Sequence, residues 1–178
     1  MGQKYASYST SGTVNGFYDS LDSPPPAIAS VIAITDSEWQ SALSCAYPPV
    51  TVVNGALVIP TGPTLAQAKS IQTGILRTAC QSAITGGFSS SALGSAYTYG
   101  SGVTDQSNLN TVAGSPSGGS LWCESGGTWA MKTHTQAQAQ AVLGDFVAWL
   151  NACQSKLATL TAEVGAATSV SVVQAISW

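Results

Sequence analysis

TWAMKTHTQAQAQAVLGDFVAWLNACQSKLATLTAEV, residues 128–164, changes its periodicity part-way along. Thr128–Lys132 alternates as a strand does. With Leu121–Glu124 before it and Ser125-Gly126-Gly127 between, it reads as a β-hairpin. Thr135-Gln136-Ala137-Gln138 is then a capping box, in which the Thr hydroxyl accepts from the third backbone N–H and the Gln reaches back. From there Val142, Phe146, Trp149, Cys153, Leu157, Leu160 and Val164 recur every three or four residues, the stripe of an amphipathic helix. At 1.5 Å per residue that helix runs about 45 Å, and Gly165 is expected to stop it. A hairpin feeding a long helix sets an α+β fold for this half of the chain.

Upstream, Thr64-Leu65-Ala66-Gln67 is a second capping box, opening a helix to about Thr85. Its apolar stripe reads Leu65, Ala68, Ile71, Ile75, Ala79 and Ala83, and Gly86-Gly87 closes it. The Gly/Ser-rich stretch 88–103 holds a strand with Tyr97 and Tyr99 alternating, and Thr104-Asp105 is expected to cap a short helix, Gln106–Val112. After Gly165, Thr168 or Ser169 caps a last turn through Ile176.

Residues 1–62 read differently. Gln3–Ser9 and Thr13–Ser20 flank Thr10-Ser11-Gly12 as a hairpin, and Pro24-Pro25-Pro26 forces extended chain. Ala29–Ile34 follows as a strand, then the capping box Thr35-Asp36-Ser37-Glu38 and a short helix with Trp39 and Leu43 on one face. Val50–Val53 and Ala56–Ile59 around Asn54-Gly55 form the hairpin with the strongest turn signal. The fold expected is therefore a small β-rich N-terminal module with one short helix (1–62). A C-terminal module of two main helices, one of them long, with β-hairpins (63–178) follows it.

Composition narrows the function. Of 178 residues only 7% are charged, against roughly 25% in an ordinary domain, and Ser and Thr supply about a quarter of the chain. The five cations, Lys4, Lys69, Arg77, Lys132 and Lys156, are scattered, and the net charge is −3. Nucleic acid, which needs clustered Lys or Arg, is not an expected partner. No apolar run reaches the length of a membrane span, so no membrane insertion is expected. The start MGQKYASYST shows no hydrophobic signal segment, so a cytoplasmic location is expected. The four cysteines, Cys45, Cys80, Cys123 and Cys153, lack metal or redox spacing and read as buried free thiols.

Catalytic motifs are not found. His134, at the mouth of the long helix, reads as a partly exposed residue rather than a base or ligand. No G-x-S-x-G elbow, phosphate cradle or oxygen-rich metal loop occurs. Asp19, Asp22, Asp36, Glu38 and Asp105 fall at turns and helix starts, leaving Glu124, Asp145 and Glu163 unpaired. Neither a cofactor nor a metal is expected, and the chain is not read as an enzyme. The residues left for function are aromatic. Tyr97, Tyr99, Trp122 and Trp129 are the candidates for contact with a protein partner or a sugar, with closing the core as the alternative.

KYASYSTSGTVNGFYDS, the Pro-rich linker, AIASVIAITDSEWQSAL and VTVVNGALVIP together resemble the N-terminal module of phage tail-fibre assembly proteins, with Ile34-Thr35-Asp36-Ser37-Glu38-Trp39 as the ITxxEW segment. GGFSSSALGSAYTYGSGVTDQSNL, the Trp hairpin, THTQAQAQAV and VGAATSVSVVQAISW are similar to a phage-tail domain of unassigned function. The resemblance implies a chaperone or accessory protein that binds the distal part of the tail fibre, a trimer, in the host cytoplasm during assembly, with some such proteins staying on the virion. It supplies no catalytic residues. The alternative is a permanent structural or receptor-binding component of the tail or baseplate, touching other tail or baseplate proteins. A polysaccharide hydrolase ranks third. Self-association into a homo-oligomer is left open.

Overall fold

The computed structural model describes residues 2–27 and 30–178. The chain is mixed α+β and forms two compact units that divide between Ala68 and Lys69.

In the first unit, β1 (Lys4–Tyr8) and β2 (Val14–Asp19) form the expected antiparallel hairpin, and β3 (Ser30–Ile34) adds on the other side of β1, in the order β2-β1-β3. Ala29, placed at the start of that strand by the sequence, lies outside the described residues. The Thr35 box forms as read: Glu38 N donates to Thr35 Oγ1 at 3.1 Å and Thr35 N to Glu38 Oε2 at 2.7 Å, opening α1 (Asp36–Leu43). Trp39 meets Phe17 edge-on at 5.8 Å between ring centres. Leu43, expected beside it, is exposed, and Ala42 is the residue α1 buries. An eight-residue helix over a three-stranded sheet offers one narrow contact line, and the smaller side chain occupies it. Asn54 (φ 51°) and Gly55 (φ 79°) make the type I′ turn between β4 (Thr51–Val53) and β5 (Ala56–Val58). Val14 N donates to Val50 O at 3.0 Å and Val52 N to Gly12 O at 2.7 Å, joining this hairpin to the first.

The second unit is built on an antiparallel sheet, β6 (Phe88–Ser90), β7 (Tyr97–Tyr99), β8 (Gly119–Ser125) and β9 (Thr128–His134), in that spatial order. β6 opens the Gly/Ser-rich stretch 88–103, in which the sequence shows only the strand with Tyr97 and Tyr99. One face carries α3 (Val103–Gly114) and the first half of α4 (Gln136–Ala166). Phe88, Tyr99, Leu109, Leu121, Cys123, Val142 and Phe146 form the core between them. α3 begins earlier than expected. Gly102 is its cap, and Asp105 Oδ2 accepts from Gly102 N at 3.1 Å, so Asp105 sits one turn inside the helix.

α2 (Leu65–Thr85) runs antiparallel to the second half of α4. Lys69 Nζ donates to Gly165 O at 2.6 Å, Cys80 Sγ to Cys153 O at 3.6 Å and Trp149 Nε1 to Ala83 O at 3.2 Å. α4 continues one residue past Gly165, where the Lys69 ammonium takes up a terminal carbonyl. Ser169 caps α5 (Val170–Ala175), which buries Val173. Trp149 is corrected from core to rim: its ring is about one-third exposed, and the indole N–H bridges to α2. The α2 stripe is corrected as well. Leu76 and Cys80 are buried, while Ile71 and Ile75 are about half exposed. Two apolar lines about 100° apart exist on this helix, and α4 covers the one through Leu76. No described helix is long and apolar enough to cross a membrane.

Two measurements check this architecture. Leu76→Ala is expected to cost about 2–5 kcal/mol and Ile75→Ala less than about 1 kcal/mol, read by denaturant unfolding; equal costs would contradict the packed face assigned to α2. In the first unit, bonds from Lys4 and from the Leu21 N–H hold Asp19 below its ordinary 3.8, and bonds from Thr35 hold Glu38 below its ordinary 4.5. Both carboxylates therefore ionise more readily folded than unfolded. Their stabilisation is present above those ordinary values and is lost as pH falls through the lower folded ones. The unfolding midpoint of this unit should drop between about pH 5 and about pH 2, and Glu38→Gln should flatten that slope.

Candidate functional site

The hairpin β8–β9 is the most regular surface in the second unit. Gly126 (φ 61°) and Gly127 (φ 79°) form its two-residue turn, closed by the pair Ser125 and Thr128, and Glu124 Oε1 accepts from Gly127 N. Side chains alternate strictly along both strands. Leu121 and Cys123 point into the core, and Trp122, Trp129 and Met131 point out, 50%, 43% and 57% exposed. Trp122 stands opposite Met131 and Trp129 opposite Glu124, so the two indoles are diagonal neighbours. Their rings lie 14° from parallel with centres 6.5 Å apart. Of the four aromatic candidates, the structure brings these two together on an open apolar sheet face.

The tyrosines are placed elsewhere. Tyr97 is half-buried and packs against the core, and Tyr99 is buried. Tyr99 is therefore no contact residue: β7 pairs with β6 and β8 on both sides, and its inward side chain stacks on Phe88 at 5.7 Å. The Tyr99 hydroxyl meets His134 Nε2 at 2.8 Å, and His134 Nδ1 lies 2.8 Å from Lys132 O. A carbonyl only accepts, so Nδ1 carries the proton and Nε2 accepts from the phenol. His134 is fully buried, which corrects the partly exposed position expected from its place before a helix. Sequence had a faint signal for this: a lone His in alternating register ends a strand on the same face as Leu121 and Cys123.

Gly118 makes that junction. A Cβ there would lie 2.0 Å from the His134 carbonyl oxygen, and its φ is +68°. Both the space and the backbone conformation demand glycine.

β7 ends at Tyr99 while β8 starts at Gly119, so the Ser120–Trp122 part of β8 has no strand on that side. Gly100, Asp105 and Asn108 border the gap, a cavity of about 60 Å³. That is room for about two waters, well below the roughly 300 Å³ at which small-molecule sites begin. Of the four thiols, Cys80, Cys123 and Cys153 are buried as expected, whereas Cys45 is corrected to half-buried. Burial pushes Cys123 and Cys153 up from their ordinary values, keeping them protonated. Burial likewise raises the Tyr99 phenol. Among the described residues no group of three His, Cys, Asp or Glu could hold a metal. Glu124 is engaged at the hairpin turn, and Asp145 and Glu163 are exposed on α4, 18 residues apart along the helix.

Residues 67–177, well over half of the chain, match the family described as a domain of unknown function, DUF4376. The chain belongs to the DUF4376 family. No curated protein and no solved structure gives a match. The DUF4376 region holds the whole of the four-stranded sheet, α3, α4 and α5, and nearly all of α2, so the Trp face is a feature of the family domain in this chain. The family description carries no activity, and residues 1–62 lie outside the match.

Tyr99→Phe leaves His134 Nε2 buried without a donor and should cost about 1–3 kcal/mol. Trp122→Ala and Trp129→Ala should each cost about 1 kcal/mol or less. Thermal or denaturant unfolding of the three variants reads this directly; a Trp variant as damaging as Tyr99→Phe would mean the indoles serve the fold.

Proposed function

We propose that this DUF4376 protein is a non-catalytic phage tail-fibre assembly chaperone or accessory protein that binds the distal part of the fibre and can stay with it on the virion. The exposed face of Trp122, Trp129 and Met131 carries this reading. It is apolar and displayed on a rigid hairpin whose turn needs no partner to form. Large aromatic side chains that are open in the free chain contribute most to protein interfaces, because they bury much area at small entropic cost. The small number of charges suits the same use, since few ions have to be desolvated on contact. The resemblance of residues 1–62 to tail-fibre assembly proteins names the partner, and the two lines are independent of each other.

Co-expression with the fibre protein encoded beside it should raise the yield of soluble trimeric fibre. The Trp122→Ala/Trp129→Ala double variant should lose most of that gain while melting within a few degrees of wild type. Fibre trimerisation that proceeds equally well without the chain would end the chaperone reading. Mass spectrometry of purified particles then separates a transient chaperone from a resident subunit.

A further inference from the structure

β9 is an edge strand whose hydrogen-bonding direction can be assigned residue by residue. Ser125 and Thr128 close a two-residue turn and form a hydrogen-bonded pair, and bonded and non-bonded pairs alternate from there. Thr128, Ala130, Lys132 and His134 therefore turn their N–H and C=O groups toward β8. Trp129, Met131 and Thr133 turn theirs away from the sheet. All three are exposed, and among the described residues no strand lies beyond β9. This edge presents three donors and three acceptors at strand spacing, flanked on one face by two apolar side chains.

We propose that β9 pairs antiparallel with β9 of a second copy of this chain, about a two-fold axis through Met131, joining two four-stranded sheets into one. The chain's own β9 fits its own edge. Centred on Met131, all seven residues overlap: Thr128 faces His134 of the second copy, Trp129 faces Thr133, and Met131 faces itself. The outward-facing residues meet outward-facing residues, each pair exchanging two bonds. Lys132 faces Ala130 of the second copy, so the only charge on the strand meets a small neutral side chain. Centring on Lys132 instead would set two ammonium groups directly opposite, which is destabilising. A one-residue slip would set outward groups against inward ones. The Trp face gains from the pairing too, because Met131 of each copy lies diagonal to Trp129 of the other and the two apolar strips become continuous. Taking 150–250 Å² for a fully buried aromatic, Trp122, Trp129 and Met131 expose roughly 300 Å² per copy. That is below the roughly 800 Å² per partner of a standard stable interface, so the dimer is reversible and concentration-dependent.

The test uses the purified protein alone, so the outcome of the fibre experiment does not bear on it. Sedimentation velocity from about 1 μM to about 1 mM, a range that brackets weak dimers, should show a monomer passing to a dimer. Met131→Pro deletes the central outward N–H and no bond to β8, and Met131→Lys sets two cations on the axis; each should weaken dimerisation at least about tenfold. If the proline variant does not fold, the lysine variant decides. Amide exchange adds a residue-level readout: Trp129, Met131 and Thr133 should become protected only at dimer concentrations, while Ala130 and Lys132 stay protected throughout. A wild-type protein that is monomeric across the range, or variants that dimerise as wild type does, would overturn the proposal. So would protection of the edge only on addition of an extended peptide from another protein.

Discussion

The hydrogen bond between the Tyr99 hydroxyl and His134 Nε2 connects the middle of the sheet to the point where the last strand becomes the long helix. His134 ends β9, Thr135 caps α4 and Gly118 passes the His134 carbonyl closely enough to exclude any side chain. Three backbone paths thus converge within van der Waals contact, and the imidazole satisfies its second nitrogen on the Lys132 carbonyl. A buried imidazole with both nitrogens paired is tolerable, whereas either one left bare would carry the full cost of desolvation. The direction in which α4 leaves the sheet, and so which residues of α4 reach Phe88 and Tyr99, depends on this junction.

From that junction the hairpin acquires its two different faces. With Leu121 and Cys123 held against α3 and α4, strict alternation forces Trp122, Trp129 and Met131 outward. The outward indoles are a consequence of inward packing rather than a separate design, yet they leave the second unit with a large apolar surface on its regular sheet. Three of the groups that could carry chemistry in the second unit are closed in. The Tyr99 phenol and the Cys123 thiol are buried in the core, and Cys153 is buried along α4.

Local signals were legible where one or two residues suffice to fix a conformation. The three Thr capping boxes, the Asn54-Gly55 turn and the change of periodicity at Thr135 each place an element to within about two residues. β6 was not legible because Phe88-Ser89-Ser90 has too few side chains to show alternation and acquires its strand conformation from pairing with Tyr97–Tyr99. The α2 stripe misled for a related reason. Ile71 and Ile75 are the stronger apolar pair, but the line through Leu76 and Cys80 is the one aligned with Cys153 and Gly165 once both helix ends are bonded. At the candidate site, Trp122 and Trp129 could be picked out by type alone, whereas the separation of Tyr99 from them could not.

What the sequence by itself determined is most of the elements, the α+β class and the near absence of charge, because capping, turn geometry and periodicity act over a few residues. What only the tertiary structure decided is which side of each element is covered. A tyrosine and a tryptophan in adjacent strands look equivalent in the sequence. Tyr99 is enclosed because its strand is central and its side chain faces the helices; Trp122 is open because its neighbour Leu121 took the inward place. Burial is a property of neighbours brought together from far along the chain, and no local pattern contains it.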